Sequence, residues 1–130
     1  MIPLSNSPIM DIEALRDYCL SLPLATEDFP FDDTTLAFRV LGRIFAMIDL
    51  EDTYWFVLKC QPDRALSLRD VHPEITPAWH MNKRHWNQIN LYGSLPDPLI
   101  RSLIRHSYAE VVKKIPHKLR NDNPAVLAIG

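Results

Sequence analysis

The chain has 130 residues, is 47% hydrophobic and 23% charged, and carries a formal net charge of −2, which excludes a disordered chain and fits one domain able to bury a core without disulfides or a structural metal. Three glycines and two cysteines leave no room for a Gly-rich phosphate loop, a disulfide framework or a C-x-x-C pair, so no metal and no cofactor is expected. No apolar run approaches the ~20 residues of a membrane helix, and Met1–Met10 lacks a basic region followed by an apolar stretch, so no signal peptide, no membrane and a cytoplasmic location are expected.

The first elements can be read from periodicity. Met1–Ile9, with Pro3 and Pro8, is a lead-in. Asp11 caps a helix whose buried stripe is Ile12, Leu15, Cys19 and Leu22, and Pro23 stops it. An acidic, aromatic link follows at Glu27–Asp33, with Phe29 and Phe31 expected to anchor on the core; its acids lack the Gly-centred spacing of a calcium loop. Three strands come next. Leu36, Phe38 and Val40 alternate with Thr35, Ala37 and Arg39, and Leu41-Gly42 makes a tight turn. Ile44, Ala46, Ile48 and Leu50 alternate with Phe45, Met47 and Asp49. After a turn near Glu51-Asp52, Tyr54, Phe56, Leu58 and Cys60 alternate with Trp55, Val57 and Lys59. Such short turns require antiparallel pairing. The second and third strands are apolar on both faces, which predicts either helices over both faces of the sheet or a partner on part of one. The first option is the expectation.

Further along, Pro62 opens a second helix with Ala65, Leu66 and Leu68 on or near its buried side, and Pro73 marks its end. Ile89 and Leu91 read as a strand, and Tyr92-Gly93-Ser94 as a turn. Asp97 is expected to cap the longest helix, with Pro98 in its first turn and Ile100, Leu103, Ile104, Ser107, Val111 and Ile115 facing inward. Pro116 ends it. The expected organisation is a single domain over residues 1–120, its core from about 10, and a tail at 121–130. The fold class is α+β: an antiparallel sheet of hairpins, flanking helices and a long C-terminal helix.

Charge is divided along the chain. Met1–Leu58 holds three basic and ten acidic residues, net −7; Lys59–Gly130 holds eleven basic and six acidic, net +5, and all five histidines. A split of this kind either directs a basic face at an anionic partner or is neutralised when the halves interleave.

The segment Thr76–Asn87 (TPAWHMNKRHWN) concentrates chemistry. Lys83 and Arg84 suit phosphates, Asn82 and Asn87 suit base amides, His80 and His85 can donate to phosphate, and Trp79 or Trp86 can stack on bases. The structural alternative makes the tryptophans buried fasteners, Asn82 the cap of one helical turn, and Lys83 and Arg84 solvated charges. His80 and His85 are five apart with no carboxylate between them, a poor zinc pattern. Cys60 with either histidine could be imagined as nucleophile and base, but an inward strand cysteine lacks the electropositive, open setting of a thiolate. No catalytic residue is assigned.

The same segment resembles the signature of the MmcQ/YjbR family of small bacterial proteins. Leu15–Pro23 (LRDYCLSLP), Glu27–Phe31 (EDFPF), Leu58–Pro62 (LKCQP), Gly93–Asp97 (GSLPD), His106–Tyr108 and Pro116–Arg120 (PHKLR) agree in order. The resemblance implies an α+β double-wing arrangement and a DNA-binding role, carried onto Lys59, His80, Asn82, Lys83, Arg84 and His85. The chain departs at Leu24, where relatives often have glycine, and at Asn90, where they often have a basic residue. Binding of DNA is therefore the leading expectation. The alternatives are a protein-binding adaptor using sheet aromatics such as Trp55, and an enzyme around His80, His85 and Cys60.

Overall fold

The computed structural model describes residues 10–79 and 81–129; the lead-in before Met10 and His80 lie outside the described residues. Helix α1 (Ile12–Ser21) begins as expected, with the Asp11 side chain accepting the Ala14 N–H at 2.7 Å. It buries Leu15 and Cys19. The chain then turns directly into strand β1 (Ala25–Asp28), so the expected link is in part an edge strand. Leu24, at the turn, holds φ 58°, a left-handed conformation costing a residue with Cβ about 1–2 kcal/mol. Leu24 is exposed. Leu24→Gly is therefore expected to raise stability by about 0.5–1 kcal/mol, less than the full strain because glycine also loosens the unfolded chain. Chemical denaturation measures it.

Strands β2 (Thr35–Val40), β3 (Arg43–Asp49) and β4 (Asp52–Lys59) form the expected meander. Leu41 (φ 48°) and Gly42 (φ 85°) between β2 and β3 are both left-handed, as a twist-matched two-residue hairpin turn requires. Helix α2 (Pro62–Val71) leads to β5 (Ile75–Pro77), and β6 (Trp86–Asn90) returns between β5 and β4. The result is one antiparallel six-stranded sheet, ordered β1-β2-β3-β4-β6-β5. Helix α3 (Asp97–Val112) lies across its centre, burying Ile100, Leu103, Ile104, Ser107, Tyr108 and Val111. Its N-cap is Pro96, with Asp97 one position inside the helix and no side-chain cap, so Asp97 is not the cap. The residues after Pro116 form helix α4 (His117–Asp122) and a 3-10 turn (Pro124–Ala128) whose Val126 is fully buried in the core.

The sheet core faces α1, α2 and α3. Phe38, Phe56, Leu58 and Ile89 point this way. Phe45 joins them through a bulge: Phe38 pairs with Ala46 but Arg39 with Ile44, leaving Phe45 as the extra residue. Strict alternation would have placed Phe45 beside Met47 on the other face. Instead its ring meets Tyr108 edge-on at 5.3 Å. Ser107 receives the bulge: its hydroxyl donates to the Phe45 carbonyl (2.5 Å) and accepts the Lys59 N–H (2.8 Å).

The opposite face differs from expectation. Among the described residues no helix packs on it. Met47, Val57 and Trp55 line an open groove there. Phe31, expected to anchor on the core, is 66% exposed at the groove margin, and Phe29 is exposed too. Leu66, expected on or near the buried side of α2, is exposed; Ala65 alone in that helix is fully buried, with Leu68 packed against the core from its edge.

Candidate functional site: the open sheet face and the β5–β6 turn

The groove on the uncovered face has a volume of about 640 Å³, within the range of small-ligand and peptide sites. Its floor is Met47 of β3, Trp55 and Val57 of β4, and Gln88 of β6; Thr35, Phe31, Ala78, Trp79 and Met81 raise its sides, and Asp49 and Asp52 close one end. Pairing explains the floor. Met47 lies opposite Val57, and Val57 opposite Gln88, so consecutive strands put these side chains on one face. Gln88 is held by its amide donating to the Thr76 hydroxyl at 3.2 Å.

The chemistry-rich segment becomes the β5–β6 connection. Asn82 opens a single helical turn. Its side chain accepts the Arg84 N–H (3.0 Å), and its carbonyl accepts the N–H groups of His85 (3.1 Å) and Trp86 (3.0 Å). Asn82 is therefore engaged in building the turn. Lys83 and Arg84 project from it, both exposed. Trp79 is not the buried fastener that its residue type suggests: it is 60% exposed, and the Lys83 ammonium stands 4.7 Å from its ring centroid. This is a cation–π contact, worth about 0.5–1 kcal/mol at an exposed site. Trp86, on the strand, is half-buried. His85 is half-buried, and its carbonyl accepts the Cys60 N–H at 2.7 Å.

Arg69 of α2 locks the turn from behind. It donates Nε–H to Asn87 Oδ1 (2.7 Å), and its Nη2 donates to the Lys83 carbonyl. Asn87 is buried, so it is a structural anchor and offers no amide to a ligand. Arg69→Ala should cost about 1–3 kcal/mol, because a buried acceptor loses a charged donor. It should also disorder the turn, read as faster amide exchange at Lys83–Trp86.

The structure therefore brings together part of the predicted set. Lys83 and Arg84 share one turn with Asn82 and His85. His80 lies outside the described residues. Lys59 belongs elsewhere: its ammonium is pushed below its ordinary value by burial first and then by Lys114, with Glu110 opposing and Arg43 adding to the shift. None of these is in the turn. Cys60 is buried, and burial pushes its thiol up to about 11, the reverse of what a thiolate nucleophile needs. Among the described residues no group of three or more His, Cys, Asp or Glu side chains is placed to hold a metal ion, and no helix is long and apolar enough to cross a membrane. Sequence reading missed Thr35, Met47, Met81 and Gln88 as groove residues. The signal available was the doubly apolar alternation of β3 and β4.

A six-stranded antiparallel sheet, helices on one face, and an aromatic groove with a cationic turn on the other define a two-layer α+β protein built around an open sheet face. The chain belongs to the YjbR family, whose model matches residues 20–110. It is 35% identical over 112 residues to the uncharacterised protein YjbR of Escherichia coli K12, covering 85% of this chain and 95% of that one. It is 31% identical over 101 residues to the uncharacterised protein YbdF of Escherichia coli O157:H7, covering 77% and 83%. Among solved structures it is similar to the Deinococcus radiodurans protein DR2400 (TM-score 0.83, 38% identity, 92% of this chain and 91% of that one). A Pseudomonas syringae protein solved in solution is more distant (TM-score 0.62, 28% identity, 83% and 96%).

Proposed function

We propose that the protein is a non-enzymatic, cytoplasmic nucleic-acid-binding module that takes single-stranded DNA along the uncovered face of its sheet. The observation that carries this reading is Trp79, exposed at the groove margin with the Lys83 ammonium over its ring. An unpaired base stacked on an exposed aromatic contributes about 1–3 kcal/mol, and a neighbouring cation can meet its phosphate. Trp55 and Phe31 offer further apolar surface along the same groove. Unpaired bases suit this site better than a duplex. A duplex is gripped through many phosphates by a broad basic face, whereas Lys83 and Arg84, Lys59, and the α3 arginines Arg101 and Arg105 stand in three separate neighbourhoods. Anisotropy with a labelled oligothymidine of about 16 nucleotides, at about 50 and 200 mM salt, tests the reading. Binding that exceeds that of a same-length duplex and weakens with salt is expected. No binding at the lower salt, or a preference for duplex, would overturn it.

A second reading is favoured by Asp49 and Asp52 at the closed end of the groove, since carboxylates repel phosphate. There the floor around Trp55 would take apolar side chains of a protein partner. Trp55→Ala would then abolish capture of one stoichiometric protein partner, with oligothymidine affinity unaffected.

A further inference from the structure

A second cleft lies on the helical side of the molecule, between α1, α2 and α3, with a volume of about 550 Å³. Arg64 of α2, Arg101, Arg105 and His106 of α3, and Tyr18 of α1 line it. No carboxylate is among its lining residues. Ion pairs among the described residues join Arg16 to Glu27, Arg39 to Asp28 and Lys113 to Glu110. None involves a cleft arginine, and no side-chain hydrogen bond from Arg64, Arg101 or Arg105 occurs among them either. Among the described residues the one side-chain partner of the three is the Tyr18 ring, 6.0 Å from the Arg101 guanidinium carbon.

Three guanidinium groups facing one concavity repel one another, and a folded domain ordinarily offsets such charge with Asp or Glu. Glu110, the acid that acts on His106, is engaged by Lys113 at 2.5 Å, and Asp97, four residues before Arg101 on α3, makes no ion pair with it among the described residues. Helical spacing sets the arrangement: Arg101 and Arg105 are four apart and share a face of α3, and α2 supplies Arg64 from across the cleft. His106 adds a neutral donor. Its Nε2 accepts the Gln61 N–H at 3.1 Å, so the neutral ring carries its proton on Nδ1.

From this geometry we infer that the Arg64–Arg101–Arg105 cleft binds the phosphate group of a small phosphorylated molecule. Guanidinium forks match phosphate oxygens bidentately, and the volume suits a small ligand. The Tyr18 ring forms an apolar wall against which the remainder of such a molecule can rest. The cleft lies on the helical layer and the groove on the opposite sheet face, so this site is independent of the nucleic-acid reading.

The probes are inorganic phosphate and inorganic pyrophosphate, titrated into 15N-labelled full-length protein at constant ionic strength set with sodium chloride. The side-chain Nε–Hε signals of Arg64, Arg101 and Arg105 should shift saturably, and that of Arg43, an exposed arginine outside the cleft, should not. Arg101→Ala/Arg105→Ala should weaken binding at least tenfold, and Trp79→Ala should leave it unchanged. Shifts that do not saturate, that appear equally at Arg43, or that survive in the double variant would overturn the inference. Loss of phosphate binding in Trp79→Ala would count against a separate site. Loss of oligothymidine binding in that variant bears only on the groove.

Discussion

Replacing Trp79 and Lys83 together by alanine is expected to weaken oligothymidine binding by about tenfold to a hundredfold without destabilising the fold. The stacking contribution of one exposed aromatic is about 1–3 kcal/mol, and about 1.4 kcal/mol is a factor of ten. Lys83 contributes a phosphate contact, so the variant should also show a shallower dependence of affinity on salt, by about one counterion. Stability should change little, because Trp79 is mostly exposed and Lys83 projects from the turn. The turn itself rests on Asn82 and Arg69, both retained. A large fall in thermal midpoint would mean that Trp79 fastens the fold after all, and the lost binding would then say nothing about stacking.

The largest effect on stability is expected from Ser107→Ala. The hydroxyl is fully buried and bridges two backbone groups: the carbonyl at the β3 bulge residue Phe45 and the Lys59 N–H at the end of β4. Removing it leaves a buried acceptor and a buried donor unpaired. Each costs about 1–3 kcal/mol, so a loss of about 2–4 kcal/mol is predicted, near 10 °C in thermal midpoint for a domain of this size. Ser107→Thr keeps the hydroxyl and should lose less, through overpacking alone. Equal losses from the two variants would show that the hydrogen bonds are not the cause. The bulge also sets the two faces apart. It turns Phe45 toward Tyr108 and leaves Met47 for the groove.

Much of the architecture was legible because it rests on local rules. The Asp11 cap, the α1 stripe, the Leu41-Gly42 turn and the inner face of α3 each follow from residue type and period. The departures arose where tertiary placement decides. β1 holds the acidic pair Glu27-Asp28, which reads as a link; it is a strand because β2 offers an edge and because Arg16 and Arg39 pair with those acids. The Arg16–Glu27 pair, whose hydrogen bond holds Glu27 below its usual range, joins α1 to β1. Its contribution is present above the ordinary glutamate pKa and fades as pH falls through the lowered one, and surface screening keeps it small. Trp79 lies exposed at the groove margin although tryptophan is buried on average; nothing in its local sequence shows that the connection carries it there. The doubly apolar strands were a correct signal of something unusual. The sequence could not say that loops alone border the second face. Leu24, where the family resemblance leads to the expectation of glycine, sits at a left-handed position, which gives that expectation a physical cause.

On this reading the open face, with its β5–β6 turn, is the binding surface. The most direct test is a titration of 15N-labelled protein with oligothymidine at low salt, following the indole N–H signals of the three tryptophans and the backbone amides. Saturable shifts are expected at the Trp55 and Trp79 indoles and at the amides of Met47, Val57, Lys83 and Arg84, with α3 unaffected. Shifts confined to the helical layer, or none at any site, would contradict it.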